Sequence, residues 1–343
     1  MNFRAFLNTI SNTARTLPIV IFYVTEGCNL KCLSCSYRDA LPGELSFDEI
    51  KTLAKSLKAF GLKHIVYSGG EPLLRRDFTD ICELFSGMKL KQTLLTNGLL
   101  LDKRAGDISK YFTEIIVSID GGTPGTHNRL RGVNSFELIL RGIEKTLSLK
   151  DAPVVSIRTV LQKNNFRELG DMIKLAKTAG VKRISFLAAD VSSDAYGRDT
   201  RGKVSDSNSI ALNENEVEEL RNIINKLAES NKNDFSSGFI SESPAKLHHI
   251  ADYYEALLGK CAFPKNLCNA PMVSAVITST GDIHPCFFLP SFGNIRKSGF
   301  DPLINSDSVK STRRQVRNYE LTRCHECVCT LYTSTIAALK DRF

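Results

Sequence analysis

Short apolar runs alternate with amphipathic segments from Pro18 to about Asp190. The amphipathic segments repeat apolar residues at helical spacing, which is typical of helices with one buried face. Strands that alternate with helices predict a parallel sheet, either doubly wound or curled into a barrel. The predicted strands are Ile19–Val24, His64–Ser68, Gln92–Thr96, Glu114–Asp120, Val154–Leu161 and Arg183–Ala189.

Three of the amphipathic segments carry clear apolar stripes. Ser46 followed by Glu49 is a capping-box signal for the first helix, and Gly61 is placed to end it. The stripes predict buried helix faces and no chemistry. They are Phe47, Ile50, Leu53, Ala54, Leu57 and Phe60; Phe136, Ile139, Leu140, Ile143 and Leu147; and Phe166, Leu169, Met172, Ile173 and Ala176, the last ended by Gly180.

The pattern changes at both ends of this alternating region. Phe3, Phe6, Leu7 and Ile10 predict an N-terminal helix that covers one end of the core, with a membrane-surface contact as the alternative. Residues 191–213 are polar and predict a linker or a loop over the barrel mouth. Further helices are predicted at Glu214–Glu229 and Pro244–Leu258, and six cysteines follow in the last 83 residues. The predicted division is a lead-in helix (1–17), a barrel (18–212), a helical connection (213–260) and a C-terminal domain (261–343).

Residues of unusual chemistry follow the ends of the predicted strands. In both parallel layouts, functional groups collect at the C-terminal ends of the strands, so these residues predict one site. They are Cys28, Cys32 and Cys35 after the first strand, Gly69-Gly70-Glu71-Pro72 after the second, Asn97-Gly98 after the third, and Ser118-Ile119-Asp120-Gly121-Gly122 at the fourth.

Composition narrows the class of protein. The chain has 343 residues, 42% hydrophobic and 24% charged, as expected for a globular protein. The net charge of +8 comes from scattered residues, so nucleic-acid binding is not predicted. No apolar stretch is long enough to span a membrane, and no secretion signal is visible. A cytoplasmic location is predicted. Ten cysteines in that reducing compartment indicate a metal, a cluster or catalysis.

The loop from Cys28 to Cys35 holds three thiols within eight residues. Clustered soft ligands of this kind hold a metal or an iron–sulfur cluster. Three ligands leave one metal position open for something else. A structural zinc site is the main alternative, but it usually has four ligands. Three small buried residues are the simplest alternative.

The CxxxCxxC loop after strand one, followed by GGEP after strand two, resembles the radical S-adenosylmethionine (radical SAM) superfamily. The resemblance implies a partial (β/α)6 TIM-like barrel in which Cys28, Cys32 and Cys35 hold a [4Fe–4S] cluster. It implies that SAM chelates the open iron and that Gly69, Gly70 and Glu71 contact the SAM amino group. Reductive cleavage of SAM would then give a 5′-deoxyadenosyl radical that abstracts a substrate hydrogen.

Further residues fit this resemblance in part. Ser118 and Asp120 match positions where relatives contact the SAM ribose and carboxylate. Arg131, in a segment resembling the one after strand four in relatives with extra clusters, or Arg158 would pair with the SAM carboxylate, since guanidinium groups suit bidentate recognition. An ordinary ion pair is the alternative for either arginine. The family usually has an aromatic residue where this chain has Ser34, and Tyr37 is a candidate to cover the adenine instead. Histidines are predicted to be structural.

The C-terminal cysteines resemble the twitch domain, a shortened relative of the SPASM domain and a small α+β unit. The spacing of Cys268, Gly281, Cys286, Cys324 and Cys327 carries this resemblance. It implies a hairpin of Val273–Thr278 and Asp282–His284, and a closed auxiliary [4Fe–4S] cluster ligated by the four cysteines, as an electron relay or structural brace. Zinc is the alternative. Cys329 is an alternative to Cys327 as ligand, Cys261 is a spare ligand or buried thiol, and Cys82 is predicted to lie in the core.

The resemblance covers about residues 14–343 and predicts a radical SAM enzyme of oxidoreductase type. About 17 residues precede the first strand, which leaves no room for the peptide-recognition domain of many peptide maturases. A small-molecule substrate is therefore favoured, in oxidation or rearrangement of a biosynthetic intermediate. A peptide- or protein-modifying maturase is one alternative, and a non-catalytic iron–sulfur or zinc-binding protein is another. An external reductant such as flavodoxin or ferredoxin is the expected partner.

Overall fold

The computed structural model describes residues 3–198 and 207–339. Within these ranges one nine-stranded sheet organises the chain, in the order β6-β5-β4-β3-β2-β1-β7-β8-β9. The strands are β1 (Ile19–Thr25), β2 (His64–Gly69), β3 (Lys91–Thr96), β4 (Glu114–Ser118), β5 (Val154–Leu161), β6 (Arg183–Ala188), β7 (Ser274–Ile277), β8 (Asp282–His284) and β9 (Gly293–Asn294).

The first six strands pair in parallel, each with the next along the chain. Parallel neighbours need crossover connections, and helical segments supply them here. The prediction of a partial (β/α)6 TIM-like barrel is confirmed. Because all six strands run in the same direction, their C-terminal ends lie at one edge, where the cysteine loop and the glycine-rich loop meet.

Helices cover the outer face of the sheet. A single large apolar core lies between them and the strands, from Leu17 in the N-terminal segment to Ile304 near the C-terminus. The α-helices are α1 (Phe3–Ile10), α2 (Phe47–Ala59), α3 (Phe78–Gly87), α4 (Leu101–Ile108), α5 (Pro124–Arg131), α6 (Phe136–Leu147), α7 (Leu169–Thr178), α8 (Glu214–Ser230), α9 (Lys232–Ser236), α10 (Pro244–Leu257), α11 (Ala270–Val273), α12 (Ile295–Ser298), α13 (Phe300–Ile304), α14 (Asp307–Arg317), α15 (Thr322–His325) and α16 (Thr335–Leu339). No helix in the described ranges is both long and apolar enough to cross a membrane.

The C-terminal hairpin extends the barrel sheet. β7 pairs in parallel with β1, with Ile19 opposite Ser274 and Phe22 opposite Ile277. β8 returns antiparallel to β7 after a turn in which Gly281 has a φ of +91°. The hairpin prediction is correct, although its first strand is shorter than expected. Pairing between β1 and β7 places the C-terminal cysteines next to the strand that leads into Cys28.

Two predicted strands end earlier than expected because their last residues bond outside the sheet. The predicted strand Glu114–Asp120 ends at Ser118. The backbone N–H of Asp120 donates to His127 Nδ1 (3.3 Å), and the Asp120 carboxylate accepts from the Val160 backbone N–H (2.9 Å). Likewise, the predicted strand to Ala189 ends one residue earlier, and the Ala189 N–H donates to the hydroxyl oxygen of Tyr254 on α10 (2.9 Å) as well as to the Leu161 carbonyl (3.2 Å). Both chain segments turn away at the functional edge of the sheet.

The N-terminal helix is present, but a polar residue anchors it. Phe3 and Ile10 are 59% and 57% exposed, whereas Asn8 is buried. The Asn8 amide donates to the carbonyls of Thr16 and Met272 (2.9 Å for the second). We expected the apolar stripe of this helix to cover the core, which is wrong for Phe3 and Ile10. The helix is held to the core by the hydrogen bonds of the buried Asn8.

The other helix predictions hold closely. Ser46 and Glu49 form the predicted capping box of α2, and α8 and α10 lie within one residue of the predicted ranges. Cys82 is fully buried in the core, as predicted. Of the polar segment predicted at 191–213, residues 199–206 lie outside the described ranges. Residues 191–198 pack at the C-terminal edge of the barrel, where they contact both groups of cysteines.

Candidate functional site

Backbone hydrogen bonds hold the cysteine loop to the chain that follows it and to the end of α5. Cys28 N–H donates to the Arg38 carbonyl (2.7 Å), and Lys31 N–H donates to the Arg131 carbonyl at the end of α5 (3.0 Å). Gly132 ends α5 in the left-handed conformation, with φ +69°. A Cβ at Gly132 would lie 2.4 Å from the Lys31 carbonyl oxygen, so this close approach requires glycine.

Each of the three thiols has a different polar neighbour. Asn97 Nδ2 lies 3.8 Å from Cys28 Sγ, and Arg131 Nη1 lies 3.7 Å from Cys32 Sγ. Cys35 Sγ lies 3.8 Å from the carbonyl oxygen of Tyr196. The donors at the first two sulfurs stabilise negative charge there, as outer-shell groups do around ligated thiolates.

The chemistry of these thiols fits a polynuclear cluster. Burial raises the pKa of Cys28 to about 11 and that of Cys35 to about 12, and the other thiols of the loop raise both further. Without a cation the Cys28 and Cys35 thiols stay protonated at neutral pH, and ligation by iron would displace the protons.

The two glycines of the GGEP loop serve a backbone-to-backbone approach. Gly69 has a φ of +111°, and a Cβ there would lie 2.3 Å from the Thr25 carbonyl oxygen. A Cβ at Gly70 would lie 2.3 Å from the Gly27 carbonyl oxygen. Gly70 and Glu71 donate N–H groups to Thr25 and Gly27 (both 2.8 Å). The absence of side chains at Gly69 and Gly70 thus lets this loop pack closely against Thr25–Gly27, directly before Cys28. The pairing of β1 with β2 brings the two segments together.

The Glu71 side chain is fully buried and points back into the protein. Its carboxylate accepts from the backbone N–H of Asn97 (2.7 Å), the hydroxyl of Thr96 (2.8 Å) and the backbone N–H of Leu73 (3.1 Å). Burial raises the pKa of Glu71 to about 7, although these hydrogen bonds favour the charged form. Glu71 therefore holds Thr96, at the end of β3, and the next residue, Asn97, against the GGEP loop. Because the carboxylate is used in these bonds, the predicted contact of this segment with SAM would be made by its backbone.

Two predicted SAM-contacting residues bind each other. Arg131 Nη2 lies 2.8 Å from Asp120 Oδ2, and both side chains are largely buried. Burial lowers the pKa of Arg131, but Asp120 and the nearby thiols more than offset this, so the guanidinium stays charged. Arg131 thus stands beside Cys32 as a charge-compensated donor.

Arg158 is placed differently from Arg131. It lies on β5, in register with Ser118 on β4 and Ser185 on β6. Its Nε donates to Ser185 Oγ (3.1 Å), and the residue is exposed. Among the described residues, neither Nη atom has a hydrogen-bond partner. Against the effect of burial, the Arg158 charge acts to lower the pKa of Glu242 and of Cys329. The guanidinium lies one strand away from Ser118.

The predicted auxiliary ligands come together as expected from their spacing. Cys268, Cys286, Cys324 and Cys327 line one small cavity of about 40 Å³ beside β7 and β8. Burial raises the pKa of Cys286 to about 12 and that of Cys324 to about 11, and the Cys268 thiol adds to both. Cys286 and Cys324 are therefore neutral without a metal and lie close enough to Cys268 to be influenced by it.

Cys329 is a fifth thiol at this cavity. Its carbonyl oxygen accepts from Cys327 Sγ (2.8 Å), so the two residues are directly linked. Cys261 is not among the cavity residues; its Sγ lies 3.7 Å from the Asp252 carbonyl. Cys329 therefore stays the predicted alternative to Cys327 as a ligand. Cys261 lies outside the cavity, after the end of α10.

Tyr23 links the two cysteine groups. Its ring centroid lies 6.4 Å from Tyr37, two residues after Cys35, and 5.5 Å from Phe287, directly after Cys286. The Tyr23 hydroxyl is buried and has no hydrogen-bond partner in the described part of the chain. Burial holds the pKa of Tyr23 well above its usual value, so the hydroxyl is a neutral donor between the two sites. Tyr37 is itself buried, so its role over the adenine remains a prediction.

The sequence analysis missed Asp190, Tyr196, Arg198 and Arg323. The Asp190 side chain is completely buried, and the residue lies two positions after the last residue of β6. The strand-end rule that identified the earlier loops also covers this sixth strand end, so it was the available signal for Asp190. The other three residues gave no local signal because their contacts are with distant parts of the chain.

Two family models match the chain. Residues 22–176 match the model described as the radical SAM superfamily, and residues 268–328 match SPASM, described as an iron–sulfur cluster-binding domain. The first match covers the cysteine loop and the GGEP loop. The second contains Cys268, Cys286, Cys324 and Cys327.

The chain is also similar to curated proteins. It is 29% identical over 315 residues to an AdoMet-dependent heme synthase of Methanosarcina barkeri, covering 85% of this chain and 83% of that protein. It is 34% identical over 161 residues to a GTP 3′,8-cyclase of Synechocystis, covering 45% of this chain and 49% of that protein. With several other relatives, too, the match spans only about half of their length.

Solved structures share the fold. Native anSMEcpe with bound AdoMet aligns with a TM-score of 0.63 and 20% identity, over 91% of this chain and 89% of that one. Streptococcus suis SuiB bound to S-adenosylmethionine aligns with a TM-score of 0.63 and 16% identity, over 94% and 75% of the two chains. At these identities the likeness extends to the barrel and the small C-terminal domain.

Proposed function

Because the chain belongs to the radical SAM superfamily and carries a C-terminal SPASM iron–sulfur domain, we propose that it oxidises or rearranges a small biosynthetic intermediate. Its cofactors are a SAM-binding [4Fe–4S] cluster and an auxiliary iron–sulfur cluster. When bound, these groups supply reductive cleavage of SAM to a 5′-deoxyadenosyl radical and one-electron transfer, with the first electron coming from an external reductant such as flavodoxin or ferredoxin. The chain's own residues hold and separate these groups.

The position of Tyr23 is the observation that carries this proposal. One side of its ring faces Tyr37 near the first cysteine group, and another faces Phe287 near the second. A substrate at this end of the barrel would therefore lie between a site of hydrogen abstraction and a site of electron transfer. An oxidation needs both, since a substrate radical becomes a stable product by losing one more electron.

Residues of this chain perform the binding steps. Cys28, Cys32 and Cys35 would hold the first cluster, while Asn97 and Arg131 donate toward its sulfurs. Glu71 keeps Asn97 in place through its backbone N–H. The buried Tyr23 and the half-buried Phe287 pack together between the two cysteine groups and restrict the access of water there. This exclusion protects a reactive carbon radical from solvent.

We infer that Arg158 binds the carboxylate of SAM, since Arg131 is occupied by Asp120. The change Arg158→Gln should raise the dissociation constant for SAM about 10- to 100-fold, the loss expected for a charged hydrogen-bond pair. Equilibrium binding with radiolabelled SAM measures this. Arg183→Gln is a matched control, because Arg183 pairs with Glu114 at the opposite end of the strands. Equal SAM affinity in wild type and Arg158→Gln would contradict the assignment.

The cofactor assignment predicts about eight irons per chain after anaerobic reconstitution, as two four-iron clusters. Reduced protein should then convert SAM to 5′-deoxyadenosine, measured by chromatography. About four irons with zinc making up the difference would contradict the auxiliary cluster. Eight irons without SAM cleavage would indicate the non-catalytic alternative.

Relatives named for small-molecule reactions support the choice of substrate class. The heme synthase relative aligns over most of both chains, whereas the peptide-bound structures of SuiB share 16% identity and carry information on the fold alone. Iron-coproporphyrin III and GTP are therefore the first compounds to test for substrate-dependent 5′-deoxyadenosine formation. Turnover only with a peptide encoded beside this gene would favour the maturase alternative.

A further inference from the structure

A buried cluster of charges lies between the two cysteine groups. The Asp190 side chain is 0% exposed, and its Oδ2 accepts from Arg198 Nη2 at 2.9 Å. Its Oδ1 accepts from Arg323 Nη2 at 3.0 Å. One carboxylate thus pairs with two guanidinium groups that are 125 residues apart in the sequence (323 − 198). Without this carboxylate, Arg198 would lose its ion-pair partner and Arg323 would keep only its pair with Glu326.

Arg198 connects this cluster to the first cysteine group. Its guanidinium carbon lies 5.1 Å from the centroid of the Tyr196 ring. The Tyr196 carbonyl accepts from the Ser36 backbone N–H (2.9 Å) and lies 3.8 Å from Cys35 Sγ. Tyr196 has a φ of +64°, a costly conformation for a residue with a side chain, so its surroundings must hold it there.

Arg323 connects the same carboxylate to the second cysteine group. It directly precedes Cys324 and lines the cavity of the auxiliary cysteines. Its guanidinium carbon lies 5.3 Å from the centroid of Phe288, two residues after Cys286. The Tyr196 ring also packs on Phe287, with a centroid distance of 4.7 Å. The contacts of Arg198 and those of Arg323 therefore both lead from Asp190 to a residue beside a predicted cluster ligand.

We propose that Asp190 is a positioning residue that couples the two cluster sites. Loss of its charge leaves the Arg198 guanidinium unpaired in a buried environment, where an uncompensated charge is strongly unfavourable, and leaves Arg323 with Glu326 (3.4 Å) as its ion-pair partner. The segment carrying Tyr196 must then move, and Cys35 and Phe287 lose a common support. Occupancy of the auxiliary site therefore changes the affinity of the catalytic site for SAM. This coupling does not depend on the identity of the substrate.

A double-mutant cycle tests the coupling, with SAM affinity as the measured quantity. Cys268→Ser removes an auxiliary ligand and should weaken SAM binding about tenfold, within the usual range of coupling between sites. In an Asp190→Asn background, the same Cys268→Ser change should weaken binding less than about threefold, because the connection is already broken. Iron content and the EPR spectrum of the catalytic cluster establish that this cluster is present in every variant.

Glu114→Gln serves as the control background. The Glu114 side chain is also largely buried, and it pairs with the more exposed Arg183 at the other end of the strands. There the effect of Cys268→Ser should remain about tenfold. If Asp190→Asn does not fold, Arg198→Met breaks the connection from Asp190 to Tyr196 and leaves the pair between Arg323 and Asp190. Equal effects of Cys268→Ser in wild-type and Asp190→Asn proteins would overturn the proposal, as would unchanged SAM affinity in Cys268→Ser alone.

Discussion

Cys32→Ala should abolish formation of 5′-deoxyadenosine while leaving about four irons bound in the C-terminal domain. We expect a loss of more than about 100-fold, since even outer-shell partners of metal ligands account for 10- to 100-fold losses. Cys32 lies between the other two predicted ligands, and Arg131 Nη1 is 3.7 Å from its sulfur. Removing the sulfur breaks the ligand set and leaves the Arg131–Asp120 pair without the anion that it faces.

Cys82→Ala is the matched control for this experiment. Cys82 is a free thiol that is also buried, but it lies on α3 in the core and outside both cysteine groups. Its removal should cost about 1 kcal/mol of stability and leave 5′-deoxyadenosine formation and the iron content intact. Measurements are iron content, the EPR spectrum and product formation in each variant. Undiminished SAM cleavage by Cys32→Ala would contradict the role of the loop.

Local signals in the sequence were sufficient to predict a parallel sheet with alternating helices, and the family resemblance then selected the barrel. β5 spans the predicted residues, because a run of β-branched residues forms strands wherever it can be buried. The resemblance to the twitch domain predicted which C-terminal thiols share a cavity. Cys268 and Cys324 meet although 55 residues separate them (324 − 268 − 1), and only the family resemblance indicated this.

The roles of individual polar side chains were harder to predict because they depend on pairs formed in the folded chain. Asp120 and Arg131 were each expected to contact SAM, and the sequence did not indicate that they bind each other. Nor did it indicate that the Glu71 carboxylate accepts from the backbone N–H of Asn97. The contacts of these residues with SAM stay predictions, because spacing along the chain does not decide which polar groups pair. The same reasoning explains why the contacts of Tyr196 were not foreseen.

The stability of the protein should depend on pH through Glu71. Its pKa is about 7 in the folded protein, against an ordinary value of 4.5. The folded state therefore binds the proton more tightly than the unfolded state, so stability rises as pH falls from about 7 toward 4.5. Between pH 8 and pH 5 this linkage amounts to roughly 2 to 3 kcal/mol. Glu71→Gln, which does not titrate, should remove that part of the pH dependence.

Denaturant unfolding of the reduced, metal-free protein at several pH values measures this difference. Other titrating groups are shared by both proteins, so the difference between their unfolding free energies isolates Glu71. Glu49→Gln is a useful control: the Arg296 side chain lowers the pKa of Glu49 to about 2, so its titration lies below the pH range used. Its pH profile between 5 and 8 should match wild type. A Glu71→Gln profile parallel to wild type would mean that Glu71 is ionised throughout, and the bonds from Asn97, Thr96 and Leu73 would then outweigh its burial.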